Sequence, residues 1–204
     1  MARSVKLKDP KERERRSRVR AGADHHDEVW NGEYFMPPLP NNEHQGLVTQ
    51  LVTILQIVIG WSGLGQVFPG VNVTDRDKGW KKNFRAPDVV VFLKSTRALS
   101  RLTNWLGGPD FLIEIMSPGD RSRRKLAFYG KVGVREVLLV DRHPWKLELY
   151  RLQGNKLILV GQSTVAKAGS LTSEVVPLSF RLLAGDDRPL IEVVHNDGVQ
   201  TWRV

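Results

Sequence analysis

The chain has 204 residues, 41% of them hydrophobic and 26% charged, a length and balance that suit one globular domain with appendages and are too apolar for full disorder. It contains no cysteine, which excludes a disulfide scaffold, a thiol nucleophile and thiolate-bound zinc or iron–sulfur centres, and fits a reducing, cytoplasmic compartment. The formal net charge is +9; residues 1–20 hold nine basic residues against three acidic ones, a net of +6, which leaves +3 for the other 184.

That basic segment, carried to residue 27, reads as a flexible N-terminal tail, either an arm for polyanions or a solvated extension. Residues 28–204 read as the folded domain, and His25 and His26 as linker. The first 20 residues lack an apolar core, so no secretory signal peptide is expected. Glu28–Met36 reads as an extended piece turned at Asn31-Gly32, and Pro37-Pro38-Leu39-Pro40 interrupts regular structure. Asn41 or Asn42 then caps a helix running to about Gly60, with Glu43 in its favourable first turn. Leu47–Trp61 is the longest apolar stretch, but Thr49, Thr53, Gln56 and Gly60 make a narrow polar stripe at helical spacing. That pattern marks a buried core helix, since a membrane span needs about 20 apolar residues.

Gln66–Val73 reads as a strand and Thr74–Ala86 as a polar, basic loop, in which Trp80 between Lys78 and Lys81-Lys82 could stack a base or simply pack. PDVVVFL (87–93), DFLIEIM (110–116) and EVLLVD (136–141) are apolar runs of the kind found in strands buried on both faces. Ser117-Pro118-Gly119-Asp120 turns into a helix that runs to about Val132 and closes at Gly133. Leu147–Arg151 and Lys156–Gln162 form a hairpin, after which the signals weaken. The order predicts an α/β fold with a mixed β-sheet flanked by helices. There is no glycine-rich phosphate loop and no GxSxG elbow.

Glu114 interrupts an apolar strand, where an ionised group is seldom buried without a partner. Alternation puts Leu112, Glu114 and Met116 on one face and Phe111, Ile113 and Ile115 on the other. A paired structural Glu and a site carboxylate both fit that position. Asp88 stands at the entrance of the neighbouring apolar strand, as a strand-start residue or as a second carboxylate able to share a hard cation such as Mg²⁺ with Glu114. Arg121, Arg123, Arg124 and Lys125 crowd the first turn of the next helix. Cations there oppose the helix dipole unless an anion such as phosphate is the ligand, the other reading being a solvated basic face. His143 and His195 read as surface or turn residues, and Asp141 as a local cap.

The pieces NGEYFMPPLPNNEHQ, APDVVVFL, PDFLIEIMSPGDR and KLAFYGKVGVREVLLVDRHPWKLELYRL, in this order between Asn31 and Leu152, resemble the Uma-type restriction endonuclease family within the PD-(D/E)xK nuclease superfamily. The resemblance implies a restriction-endonuclease-like core and a phosphodiesterase site dependent on Mg²⁺ or Mn²⁺. By it, Asp88 and Glu114, with the Ile115 carbonyl, would hold the metal, and Glu43 or His44 would be an accessory group. Asp120 and the basic residues Arg121, Arg123 and Arg124 would meet substrate. Met116 stands where the superfamily's in-strand lysine is expected; Lys125 occupies the matching place on the following helix. The expected partner is DNA, with a homodimer as a further expectation for cleavage of both strands. A catalytically idle nucleic-acid-binding module on the same fold, and an interaction protein that docks through its tail, are the rival readings.

Overall fold

A computed structural model describes residues 10–22, 27–37, 39–117 and 122–204. His25, His26, Pro38, Asp120 and Arg121 therefore lie outside the described residues, together with most of the turn that leads into the second core helix.

The segment expected as a flexible arm contains a helix, α1, over Pro10–Arg20. Proline suits a first helical position, and the Lys, Glu and Arg residues that follow are strong helix formers. Arg18 reaches back to Asp27 with Nε and Nη2 at 3.0 and 2.6 Å, and the Arg15 guanidinium lies 5.0 Å from the Tyr34 ring centre. Strands β1 (Glu28–Trp30) and β2 (Glu33–Phe35) form the expected hairpin; Asn31 and Gly32 take positive φ at its turn. Helix α2 spans Asn42–Leu55, and Asn41 is its cap, accepting from the His44 amide at 2.9 Å. It continues as a single π turn, Gln56–Gly60, so the apolar stripe runs unbroken from Leu47 to Ile59 and is buried throughout.

The central sheet follows the three apolar runs. Strands β3 (Gly65–Pro69), β6 (Val89–Leu93), β9 (Phe111–Met116), β10 (Glu136–Arg142), β11 (Trp145–Gln153) and β12 (Lys156–Ser163) pair in the order β12-β11-β10-β9-β6-β3. Only the β9–β10 pair is parallel within it. Helix α3, Ser122–Lys131, is the crossover between those two strands, as parallel neighbours require. Short strands β4 (Val73–Thr74), β5 (Phe84–Arg85), β7 (Leu99–Ser100) and β8 (Trp105–Leu106) join β1 and β2 in a second sheet. The weakly signalled C-terminal region folds as β13 (Leu171–Thr172), β14 (Leu178–Leu183), β15 (Leu190–His195) and β16 (Thr201–Arg203), an antiparallel sheet.

Both faces of the central sheet are covered, which explains the continuous apolar runs. Phe111, Ile113 and Ile115 pack with α2 and the C-terminal sheet, including a stacked Phe111–Phe180 pair. Leu112 and Met116 pack on the opposite side with Phe128 and Tyr129 of α3, and with Val73 and Trp105. Glu114 shares that second face. The segment over residues 74–86, expected as a loop, holds a 3₁₀ turn at Trp80–Lys82 and strand β5, and is tied down by Asp75, which accepts from Arg76, Asn83 and Lys131. Among the described residues no helix is long and apolar enough to cross a membrane.

Helix α3 lies close to the β11–β12 turn because Gly130 has no side chain; a Cβ there would stand 2.5 Å from the Asn155 carbonyl oxygen. Gly130→Ala should lower stability by roughly 1–3 kcal/mol by forcing the helix outward. Gly46→Ala in α2, where a Cβ meets open space, should raise it by about 0.5–1 kcal/mol. Urea midpoints of the two variants check the opposite signs.

Candidate functional site

Strands β6 and β9 run antiparallel with Val89 opposite Ile113. One further step along that register places Asp88 across from Glu114. Pro87 lacks an amide hydrogen and ends the ladder. Beyond it, the Asp88 carboxylate takes over, accepting from the Ile115 amide at 2.7 Å. The sequence-predicted trio of Asp88, Glu114 and Ile115 is thus one local arrangement at the end of two adjacent strands. The His44 Nε2 stands 3.4 Å from the other Asp88 oxygen, while His44 Nδ1 is buried without a hydrogen-bond partner.

Glu114 is 2% exposed. Lys125 Nζ is 3.1 Å from both of its oxygens, Ser122 Oγ is 3.3 Å from Oε2, and the Tyr129 hydroxyl donates to Oε1. Ser122, Lys125 and Tyr129 fall three and four residues apart on α3, so one helical face serves one carboxylate. Burial pushes the Glu114 carboxyl up from 4.5 to about 8; the Lys125 charge and the Tyr129 bond act the other way, and the charges of Asp88 and Glu28 add to the rise. Tyr129 itself is pushed well above its ordinary value by burial and by Glu114.

Two participants were not singled out in the sequence. Glu28, at the start of β1 and 4% exposed, sets its Oε1 2.9 Å from Lys125 Nζ. The signal available for it was an acid opening a short extended segment, a pattern with no specificity of its own. Tyr129 lies among ordinary core residues of α3, and only the tertiary structure turns its hydroxyl to a buried acceptor.

The cations of the α3 first turn diverge, because consecutive helical residues point about 100° apart. Arg123 pairs with Asp141 and Glu148, both at 2.9 Å. Arg124 is exposed and lies 5.9 Å from the Trp30 ring centre, while Lys125 turns inward. Asp141 combines its expected local role, accepting from the His143 amide, with that ion pair. Glu43 is drawn to Arg142, whose Nη1 is 2.5 Å from it. Arg142 also donates to Asn41 Oδ1, Ser117 Oγ and the Met116 carbonyl, fixing the α2 cap, and with it His44, against the end of β9. Trp80 packs edge-on against Phe84, with Lys81 above its ring.

Among the described residues no three His, Asp or Glu side chains converge as a ready-made metal cage. Mg²⁺ does not need one: it is commonly held by one or two carboxylates and keeps several waters. The hard oxygens of Asp88 and Glu114, on opposed strand positions, fit that requirement.

Because the folded Glu114 carboxyl keeps its proton to about pH 8, against 4.5 ordinarily, the native state binds the extra proton across that window. Stability therefore falls as pH rises through it. Glu114→Gln cannot ionise. Without metal it should be more stable than the native chain near pH 8, with the gap closing toward about pH 5, as read from urea midpoints at the two values.

Comparison with known proteins adds the lineage. Among curated proteins none matches this chain. Among solved structures the chain is similar to a "putative nuclease belonging to DUF820" from Anabaena variabilis ATCC 29413, at 21% identity and a TM-score of 0.54, over 65% of this chain and 75% of that one. At that identity the likeness is one of fold, and the fold is a mixed α/β arrangement with a nuclease-like neighbour. The model of the Uma2 family, described as "Putative restriction endonuclease", matches residues 14–184. With most of its length matched, the chain belongs to the Uma2 restriction-endonuclease-like family.

Proposed function

We propose that the protein is a Mg²⁺- or Mn²⁺-dependent DNA endonuclease. The observation that carries this reading is the opposition of Asp88 and Glu114 across β6 and β9, with Lys125 on the Glu114 carboxylate. Asp88 and Glu114, with the Ile115 carbonyl, would hold the metal, which when bound lowers the pKa of its water and offsets charge developing on the phosphate. Lys125 would orient the attacking water and stabilise the negative charge that builds in the transition state. His44 would steady Asp88 from the α2 side. Arg142 would keep Glu43 and the α2 terminus in register with the end of β9. The exposed lysines 78, 81 and 82, together with α1, would contact the DNA backbone. A homodimer would bring two such sites to the two strands, and a cytoplasmic location would suit such a substrate.

Plasmid and oligonucleotide substrates with and without Mg²⁺ or Mn²⁺ test the reading. Cleavage should require the metal, and Asp88→Asn and Glu114→Gln should each abolish it while leaving a folded protein. Lys125→Met should lower kcat far more than it raises KM, the pattern of an interaction made in the transition state. Wild-type activity in any of these variants would overturn the assignment. An inactive wild type that still binds DNA would favour the idle binding module.

Deleting residues 1–9, which removes Arg3, Lys6 and Lys8 and spares the Arg18–Asp27 pair, should leave the cleavage step intact and weaken DNA binding without changing sequence preference. Loss of up to about three phosphate contacts would lower the log–log salt slope by about 0.9 for each. Affinity measured against salt for the full and truncated chains reads this directly.

A further inference from the structure

Among the described residues two carboxylates hold Lys125, and they are not equivalent. Glu114 is the one assigned above to the metal. Glu28 comes from the other sheet and is engaged on both oxygens: Oε1 accepts from the Ala86 amide at 2.9 Å and meets Lys125 Nζ at the same distance, and Oε2 accepts from Trp30 Nε1 at 2.6 Å. Its carboxylate is thus fixed by a backbone donor and an indole before Lys125 is counted. Ala86 lies two residues before Asp88, so a single oxygen of Glu28 joins the segment that carries one proposed metal ligand to the cation beside the other. The Arg85 guanidinium, sandwiched between the Trp30 and Phe128 rings, also feels the Glu28 charge and helps to balance it.

A divalent cation on Glu114 would draw that carboxylate's charge away from Lys125 and repel the ammonium. A lysine held by Glu114 alone would then be driven out of the site at the moment it is needed. We propose that Glu28 is a positioning residue that holds Lys125 in the site independently of Glu114, and keeps it in register with Asp88. The functional consequence rests on the nuclease reading; the anchoring itself does not. Both Glu28 oxygens are taken up by Ala86, Trp30 and Lys125, so in this reading its effect on turnover is exerted through Lys125.

The test uses the full chain labelled with ¹⁵N-lysine, with the Lys125 ammonium signal assigned by its loss in Lys125→Met. An ordered, slowly exchanging ammonium is expected in the native chain and in Glu114→Gln, and its loss is expected in Glu28→Gln, whose backbone amide spectrum reports that it folds. Should Glu28→Gln fail to fold, Glu28→Asp is read instead. It keeps the charge but withdraws the carboxylate by one methylene, and should also lose the signal. Survival of the signal in the folded Glu28 variant, or its loss in Glu114→Gln, overturns the proposal, as does its absence from the native chain. With Mg²⁺ and plasmid, Glu28→Gln should lower kcat about 10–100-fold with KM unchanged, as for residues that orient a metal site from behind. Unchanged kcat in a variant that has lost the ammonium signal would overturn the functional consequence. If the native chain fails to cleave, the nuclease reading falls, while the ammonium measurement still decides whether Glu28 anchors Lys125.

Discussion

A carboxylate inside a fully buried strand is the constraint around which this molecule is arranged. Every residue of β9 is buried, and Glu114 sits in its second half with apolar neighbours on either side in sequence. An isolated charge there would cost several kcal/mol. The fold answers with a lysine, a serine and a tyrosine from one face of α3. Because β9 and β10 are parallel, α3 must cross over the sheet between them, and the crossover brings those groups to the carboxylate. The parallel pair that defines the sheet and the donors that make Glu114 tolerable are therefore one structural fact.

Compensation is incomplete, and the shortfall has a direction. Burial holds the Glu114 proton to about pH 8, with two further carboxylates nearby adding to the effect. A purely structural ion pair would be better served by fewer acids. Glu114 and Glu28 both meet the Lys125 ammonium, and Asp88 adds its charge from the opposed strand position. Stability surrendered at one point of an otherwise well-packed core is a common signature of sites built for chemistry.

The surrounding structure makes the site rigid from several directions. Arg142, buried beneath the α2 terminus, binds the helix cap to the last residues of β9. Arg123 spends its charge on Asp141 and Glu148 and so fastens α3 to the sheet. Glu28 links the second sheet to both α3 and the approach to β6. Arg123 and Lys125, neighbours in the basic run that opens α3, act in different directions in the folded chain, and Lys125 is the one turned inward.

The sequence by itself determined the central strands, the buried helix with an asparagine cap at 41 or 42, the alternation that separates Glu114 from Ile113 and Ile115, and the presence of two carboxylates, Asp88 and Glu114, on apolar strands. Each of these rests on a local rule: strand or helix period, a capping side chain, or the cost of a charge in an apolar run. The family motifs also pointed to Lys125. What only the tertiary structure decided are the relations between distant segments. Glu28 and Tyr129 carry no local anomaly, since an acid at a strand start and a tyrosine in an amphipathic helix are ordinary; their roles arise from meeting Lys125 and Glu114 across 97 and 15 residues of chain. The α1 helix was hidden by its charge, because a run of Arg and Glu satisfies helix propensity without an apolar stripe to announce it. The C-terminal sheet was hidden by its short, irregularly spaced strands, which become legible only when Phe180 and its neighbours close the core over β9.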